Sequence, residues 1–502
     1  MTIFDSLDAN LRYVGEALAD CGDVVKRRLI VPASPEPLDA CVVFIDMLAD
    51  ARGVAVHIIS GVGAAEKPAR QSDSATDILT AAGVSAADFR EESELDALLT
   101  AVLSGDTVMF LDKKDAAVVF ATRGFPSRGV PKADLEAAVQ GSQEAFSEVL
   151  RTNTTLLRRR IRDTRLKVKQ TNIGRRSATD VALVYLSDVA RPAVVEEAEN
   201  RLANIDIDAV QDIGYLEQLI EDDWLSPFPQ TQITERPDKA AAAILEGRVA
   251  IVADNSPFAL LLPATLNAAM QASEDYYQRF HITALVRPLR FAAALLAAAL
   301  PGLYLALAVF HPSMLPMMLM FKMAGARAMV PFPAVVEILM MELAFELLRE
   351  AGVRLPGPVG GAVGIVGGLI VGQAAVEAGL VSPAVVIVVA VTGIAGFAAP
   401  DYRMASALRL VKYGIIALSA LFGLFGFWLA ALAVLVHLAS LKSFGVPYLH
   451  PFTAGGLNGY ADAKDSLLRL PLFGMRTRPF FAAPGSRTRM KPPRTGNKRG
   501  KE

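Results

Sequence analysis

The chain has only two cysteines, Cys21 and Cys41, with five histidines and two tryptophans in 502 residues. Two thiols build neither a disulfide framework nor a zinc site of ordinary ligand spacing, and the histidines are scattered. Buried, reduced thiols are expected, and no metal or other cofactor. A Walker lysine loop, a Gly-x-Ser-x-Gly elbow and a His-Glu-x-x-His helix are all missing. No residue is a defensible catalytic candidate, so an enzyme is not expected. The first twenty residues carry Asp5, Asp8, Arg12 and Glu16 in an amphipathic stretch. They lack the apolar core of a secretion signal, which places the N-terminal half in the cytoplasm.

Apolar sequence is what the chain has in excess. Hydrophobic residues make up 53% of it and its mean hydropathy is +0.37, above the usual soluble range. The excess is concentrated in the second half. After Arg290 a run of about 20 apolar residues reaches Phe310, enough at 1.5 Å per residue to cover a hydrocarbon layer of roughly 30 Å. Further runs occupy Val359–Leu380, Pro383–Pro400 and Tyr413–Leu441. Val330–Leu348 is a weaker candidate, and Met314–Phe321 is too short to cross alone. Gly360, Gly361, Gly364, Gly367, Gly368 and Gly372 form a small-residue face suited to close helix packing. The basic chain end, with 11 Lys and Arg after Ala463 against Asp465 and Glu502, falls on the cytoplasmic side by the positive-inside rule, as do Arg287 and Arg290. Both ends inside requires an even number of crossings, four to six with re-entrant segments included.

The first half reads as a duplicated α/β plan. Cys41–Asp46 and Val181–Leu186 are short strand-like runs followed by helical sequence. About 65 residues later comes a pair of strands joined by a polar turn: Gly105–Asp112 and Ala116–Ala121 around Asp112-Lys-Lys-Asp115, then Gly247–Asp254 and Phe258–Leu262 around Asp254-Asn-Ser-Pro257. Each is a β-hairpin signature, to be covered by helices on one face. Pro192–Ile205, Ile213–Ile220 and Leu150–Ile161 have helical spacing. Phe125-Pro126, Gly129 and Pro131 mark the boundary between lobes. The expected fold class is a two-lobed α/β soluble N-terminal half plus an all-α multi-pass membrane domain. Its parts are 1–145 (first cytoplasmic lobe), 146–285 (second lobe), 286–445 (transmembrane domain) and 446–502 (a basic, partly disordered cytoplasmic tail).

Three carboxylates interrupt the apolar stretch Pro333–Leu348: Glu337, Glu342 and Glu346. An ionised carboxylate near a bilayer centre costs about 2.5–3.5 kcal/mol on insertion scales, so these side chains must face protein or water. At about 100° per residue Glu342 and Glu346 lie within about 40° of each other, Arg349 joins that face, and Glu337 stands about 140° from Glu342. Repeated in a symmetric oligomer, the stripe would form acidic rings that draw cations. An interfacial helix with its glutamates among headgroups accounts equally for the pattern. Gln373 and Glu377 extend the polar option, giving Glu337, Glu342, Glu346, Gln373 and Glu377 as ion-path candidates. Arg158, Arg159, Arg160 and Arg162 head a basic stretch without a zinc finger, an aromatic RNP motif or a helix-turn-helix. A solvated face or anionic lipid suits it better than nucleic acid.

Several segments resemble the GerA family of spore germination proteins, in particular the A subunit of nutrient germinant receptors. They include Leu156-Leu-Arg-Arg-Arg-Ile161, Ile173-Gly-Arg-Arg176, Ser226-Pro-Phe-Pro-Gln230, Thr234-Glu-Arg-Pro-Asp238, Glu274-Asp-Tyr-Tyr277, Val330-Pro-Phe-Pro333, Met341-Glu-Leu-Ala-Phe-Glu346, Gly372-Gln-Ala-Ala-Val-Glu377 and Ser443-Phe-Gly-Val-Pro-Tyr448. They run in family order over residues 145–480, with a looser likeness in the first lobe. The resemblance implies a multi-pass subunit in the inner membrane of bacterial spores, its N-terminal domain facing the spore core. It also implies a B-type polytopic subunit and a C-type lipoprotein as partners, contact with membrane lipids, and homo-oligomerisation into a channel for monovalent cations. Members commonly carry an acidic residue before Val-Pro-Phe-Pro, where this chain has Arg327-Ala-Met329. The stage V sporulation AF protein, an accessory relative, is the alternative within the family. Outside it stand a membrane-anchored small-molecule sensor using the cleft between two lobes and a secondary transporter.

Overall fold

A computed structural model describes residues 1–63, 69–70, 73–81, 83–84, 88–124, 131–133, 136, 138–354, 368, 370–452 and 461–491. The chain divides into two compact units. The α/β unit holds Met1–Glu221, Thr231–Pro263 and the chain from Leu472, and the helical unit holds Asp222–Gln230 and Ala264–Pro471.

Two five-stranded antiparallel sheets build the α/β unit. The first contains β1 (Val24–Val31), β2 (Leu38–Ile45), β3 (Phe89–Glu92), β4 (Thr107–Leu111) and β5 (Ala117–Phe120), in the order β1-β2-β4-β5-β3. The second contains β6 (Leu166–Ile173), β7 (Thr179–Leu186), β8 (Gln232–Thr234), β9 (Val249–Ala253) and β10 (Ala259–Leu262), in the order β6-β7-β9-β10-β8. The two lobes therefore share one topology. Strands β4, β5, β9 and β10 are buried along their whole length, which is why they read as continuous apolar runs rather than alternating ones.

Sequence expected helices on one face of each hairpin, and the first lobe departs from this. Ala40, Val42 and Phe44 pack into one core with Val54, Ile58 and Ile78. Cys41, Val43 and Ile45 pack into another with Leu7, Leu95 and Leu98. Successive strand residues point to opposite sides, so both faces are covered.

The duplication extends to the turns. Asp112 accepts from the Leu7 amide at 2.9 Å, and Asp254 accepts from the Leu150 amide at 2.9 Å. The turn after each hairpin's first strand thereby supplies an acceptor to the first turn of the helices Leu7–Ala17 and Leu150–Arg160. Inside those helices Asn10 bonds both backbone groups of Phe4, and Asn153 does the same with Ser147. Lys113 and Asn255 take matching positive φ values of 60° and 64°.

The lobes join through a buried charge pair. Arg158 is inaccessible and donates to Asp23 at 2.6 and 2.8 Å and to the Leu166 carbonyl at 3.2 Å. Beside it the Gly22 amide donates to Val168 at 3.0 Å. The expected boundary signal Phe125-Pro126 and Gly129 lies outside the described residues.

The basic chain end is not one tail. Residues 442–452 and 461–471 belong to the helical unit, and the chain from Leu472 belongs to the α/β unit. Part of it is packed where a loose tail was expected: Ala482 is fully buried in the second lobe's core and forms a β-bridge with Ala190. Arg191 donates to the Phe480 carbonyl at 2.8 Å and stacks on its ring at 3.6 Å. Gly247, at φ 96°, passes so close that an added Cβ would sit 2.7 Å from Ala482 Cα.

In the helical unit Phe280–Phe310 and Tyr402–Ser440 are long and apolar enough to cross a membrane. Shorter helices cover Met317–Arg327, Ala334–Arg354, 370–377 and Pro383–Gly396. Of the expected span Val359–Leu380, residues 359–367 and 369 lie outside the described residues, with four of its glycines. The expected span Tyr413–Leu441 is not one straight helix. At Gly423 the backbone turns non-helical (φ 58°, ψ −135°), and a Cβ on Gly426 would collide with the Leu418 carbonyl. In a straight helix residues so spaced stand about 12 Å apart. Met404, Ala407 and Val411 share a cluster with Val434, Leu438 and Leu441, and Ile415 and Leu418 share one with Phe427 and Ala430. The chain folds back at Gly423 into an antiparallel helical hairpin. Its first arm packs on the first long helix, where Gly302 leaves room for Ile415 and Ser419.

Candidate functional site

The Ala334–Arg354 helix carries the three carboxylates, and each one meets a cation. Glu337 is inaccessible; it accepts from the Ser382 amide at 2.8 Å, at the start of the Pro383–Gly396 helix, and lies 3.3 Å from Arg327 Nε. Glu342 is buried in an ion pair with Lys412 of the hairpin's first arm. Glu346, one turn on, pairs with Arg349 of its own helix and lies 3.3 Å from Arg409 Nη1, one turn before Lys412. Two glutamates and two hairpin cations thus form an antiparallel charge ladder between helices. The spacing that put Glu342, Glu346 and Arg349 on one face, with Glu337 apart, is what allows this. The Glu342–Lys412 rung is buried on both sides; a pair of this kind contributes little net stability, but removing one partner strands the other and costs about 3–5 kcal/mol.

Gln373 and Glu377 bond each other at 2.9 Å on an exposed surface, away from the ladder's contacts. The basic candidates separate. Arg158 is the buried lobe lock, so it cannot meet lipid. Arg159 and Arg160 pair with Glu144, and Arg162 remains exposed. Burial alone would raise the Glu144 pKa, but the hydrogen bonds and charges of Arg159 and Arg160 outweigh it and hold it below the ordinary value.

A second ionic cluster was missed from sequence. Arg287 is buried and donates to Asp275 at 2.9 Å and to Asp465 at 2.6 Å. Arg290 reaches Asp275 at 2.8 Å, and Tyr276 donates to Asp465 at 2.7 Å. Sequence counted Arg287 and Arg290 as loop charges; the fold neutralises them at the base of the first long helix. The available signal was the acidic and aromatic Glu274-Asp-Tyr-Tyr277, which had no assigned partner. Among the described residues no group of three His, Cys, Asp or Glu is placed to hold a metal.

The chain thus combines a duplicated α/β unit with an apolar helical unit that carries a charge ladder between two of its helices. The family model described as Bacillus/Clostridium GerA spore germination protein matches residues 12–481, and the chain belongs to that family. It is 38% identical over 477 residues to spore germination protein KA of Bacillus subtilis, covering 95% of this chain and 87% of that protein. It is 42% identical over 390 residues to the uncharacterized membrane protein YfkQ of Bacillus subtilis, covering 77% and 75%. A crystal structure of the N-terminal domain of the A subunit of the Bacillus megaterium spore germinant receptor GerK3 aligns with 53% of this chain and 98% of that one, at 29% identity and a TM-score of 0.41.

Proposed function

We propose that the chain is the A-type subunit of a spore nutrient germinant receptor and that the Glu342–Lys412 ladder controls a cation path in its oligomer. The family match along nearly the whole chain supports the receptor role, and the paired carboxylates carry the path. In the arrangement described, Lys412 and Arg409 neutralise Glu342 and Glu346, which is a resting state. Parting the hairpin from the Ala334–Arg354 helix would leave acidic groups free to attract monovalent cations. The B-type subunit and the lipoprotein would bias that parting when nutrient binds.

Topology supports a membrane subunit with both soluble parts on one side. The chain leaves the α/β unit at Pro263 and rejoins it at Leu472, so crossings between those points are even in number, and a hairpin does not alter the parity. Cation flux through the reconstituted protein tests the proposal. Glu342→Gln should lower the open-state flux, while Lys412→Gln should raise the resting flux. Unchanged flux in both variants would leave the ladder a structural strut.

A further inference from the structure

Nothing polar sits at the tip of the hairpin. After Ser419 the chain runs Ala-Leu-Phe-Gly-Leu-Phe-Gly-Phe-Trp428 and meets its next titratable side chain only at His437. Leu421, Phe422, Phe425 and Trp428 are 54–71% exposed. Turns that face water use Asn, Asp, Ser, Pro and Gly to satisfy the backbone and solvent, and each large apolar side chain kept in water forgoes the gain of burial. The charges of the first arm, Arg403, Arg409 and Lys412, all lie toward its base. Above them Tyr413–Phe422 is apolar helix that runs beside the end of the first long helix, with Gly423 against Phe310.

A break in the helix is what hydrocarbon ordinarily forbids, because freed backbone groups find no partner there. It is tolerated where protein covers it. Gly423 and Gly426 are both buried, Gly423 beneath Phe310 and Gly426 against Leu418. The backbone of the turn is sheltered while its side chains point outward. We propose that Tyr402–Ser440 is a re-entrant element whose tip lies in bilayer hydrocarbon, so that it enters and leaves by the same membrane face. The occupant of the exposed tip is lipid acyl chain. This rests on the membrane reading above.

The chain's two tryptophans make the test direct. Trp224 is 80% exposed, so Trp224→Phe leaves Trp428 as the sole indole with little cost to folding. The full-length variant is reconstituted in phosphatidylcholine vesicles with brominated acyl chains, or in plain vesicles with iodide outside or trapped inside. Loss of Trp428 emission to brominated lipid, with iodide ineffective from both sides, is the expected result. Quenching by iodide from either side would overturn the proposal by placing the tip in water. Insensitivity to both quenchers would overturn it by placing the tip against protein. Protein that does not float with the vesicles would instead sink the membrane reading, and this inference with it.

Discussion

The two α/β lobes have the same strand order and the same helix-to-turn bonds, yet they diverge at one equivalent position. After Gly105 the first lobe has Asp106, and after Gly247 the second has Arg248; both glycines hold φ near 95°. Asp106 receives two hydrogen bonds from Arg123, at 2.8 and 2.9 Å. Arg248 is buried, bonds Gln232 at 2.6 Å and the Leu261 carbonyl at 3.1 Å, and lies under the Phe481 ring at 5.7 Å. Burial pushes its pKa down to about 10, only partly opposed by Glu246. Among the described residues the returning chain end packs on the second lobe. Duplication preserved the backbone scaffold, and the difference lies in what each copy was built to meet.

Three experiments break or sharpen that comparison. The largest effect belongs to the lobe lock, which has no twin: Arg158→Met leaves Asp23 buried and unpaired, and should cost about 3–5 kcal/mol. Hydrogen exchange in the full chain should show the loss at the junction of β1 and β6, and wild-type protection there would make the pair dispensable. The helix caps should behave as twins. Asp112→Ala and Asp254→Ala should each cost about 1 kcal/mol, read as faster exchange in Leu7–Ala17 and Leu150–Arg160 respectively, and unequal losses would break the equivalence.

The smallest effect is a pH response confined to the second lobe. The folded Glu144 pKa is held down by Arg159 and Arg160, so its contribution is present above the ordinary glutamate value of about 4.3 and is lost as pH falls through the depressed value. Exchange in Leu150–Arg160 should rise over that acid window, and Glu144→Gln should remove the dependence. An unchanged acid profile in that variant would assign the effect elsewhere.

Some of this was legible in the residues. The central strands announced themselves because both faces are buried, and the polar turns at Asp112 and Asp254 exposed the duplication. Their partners β1 and β6 did not. Lys26-Arg27-Arg28 and Lys167, Lys169 and Gln170 break the apolar pattern on strands at the sheet edges. The stripe of Glu342 and Glu346 followed from helical periodicity, but the hairpin cations they meet lie 70 and 63 residues away on another helix, beyond any local pattern. Composition also merged the arms of the hairpin, since a glycine within an apolar run has the same hydropathy whether the chain continues or reverses.

By itself, then, the sequence determined where apolar and charged residues fall along the chain, hence two α/β copies followed by a largely apolar half, because periodicity and burial are local properties. Tertiary structure alone decided that Arg158 is a lock rather than a lipid contact, that Phe480 to Ala482 belong to a core, and that Gly423 reverses the last helix. Each depends on a contact between residues far apart in sequence or on one backbone torsion, and neither leaves a mark on composition.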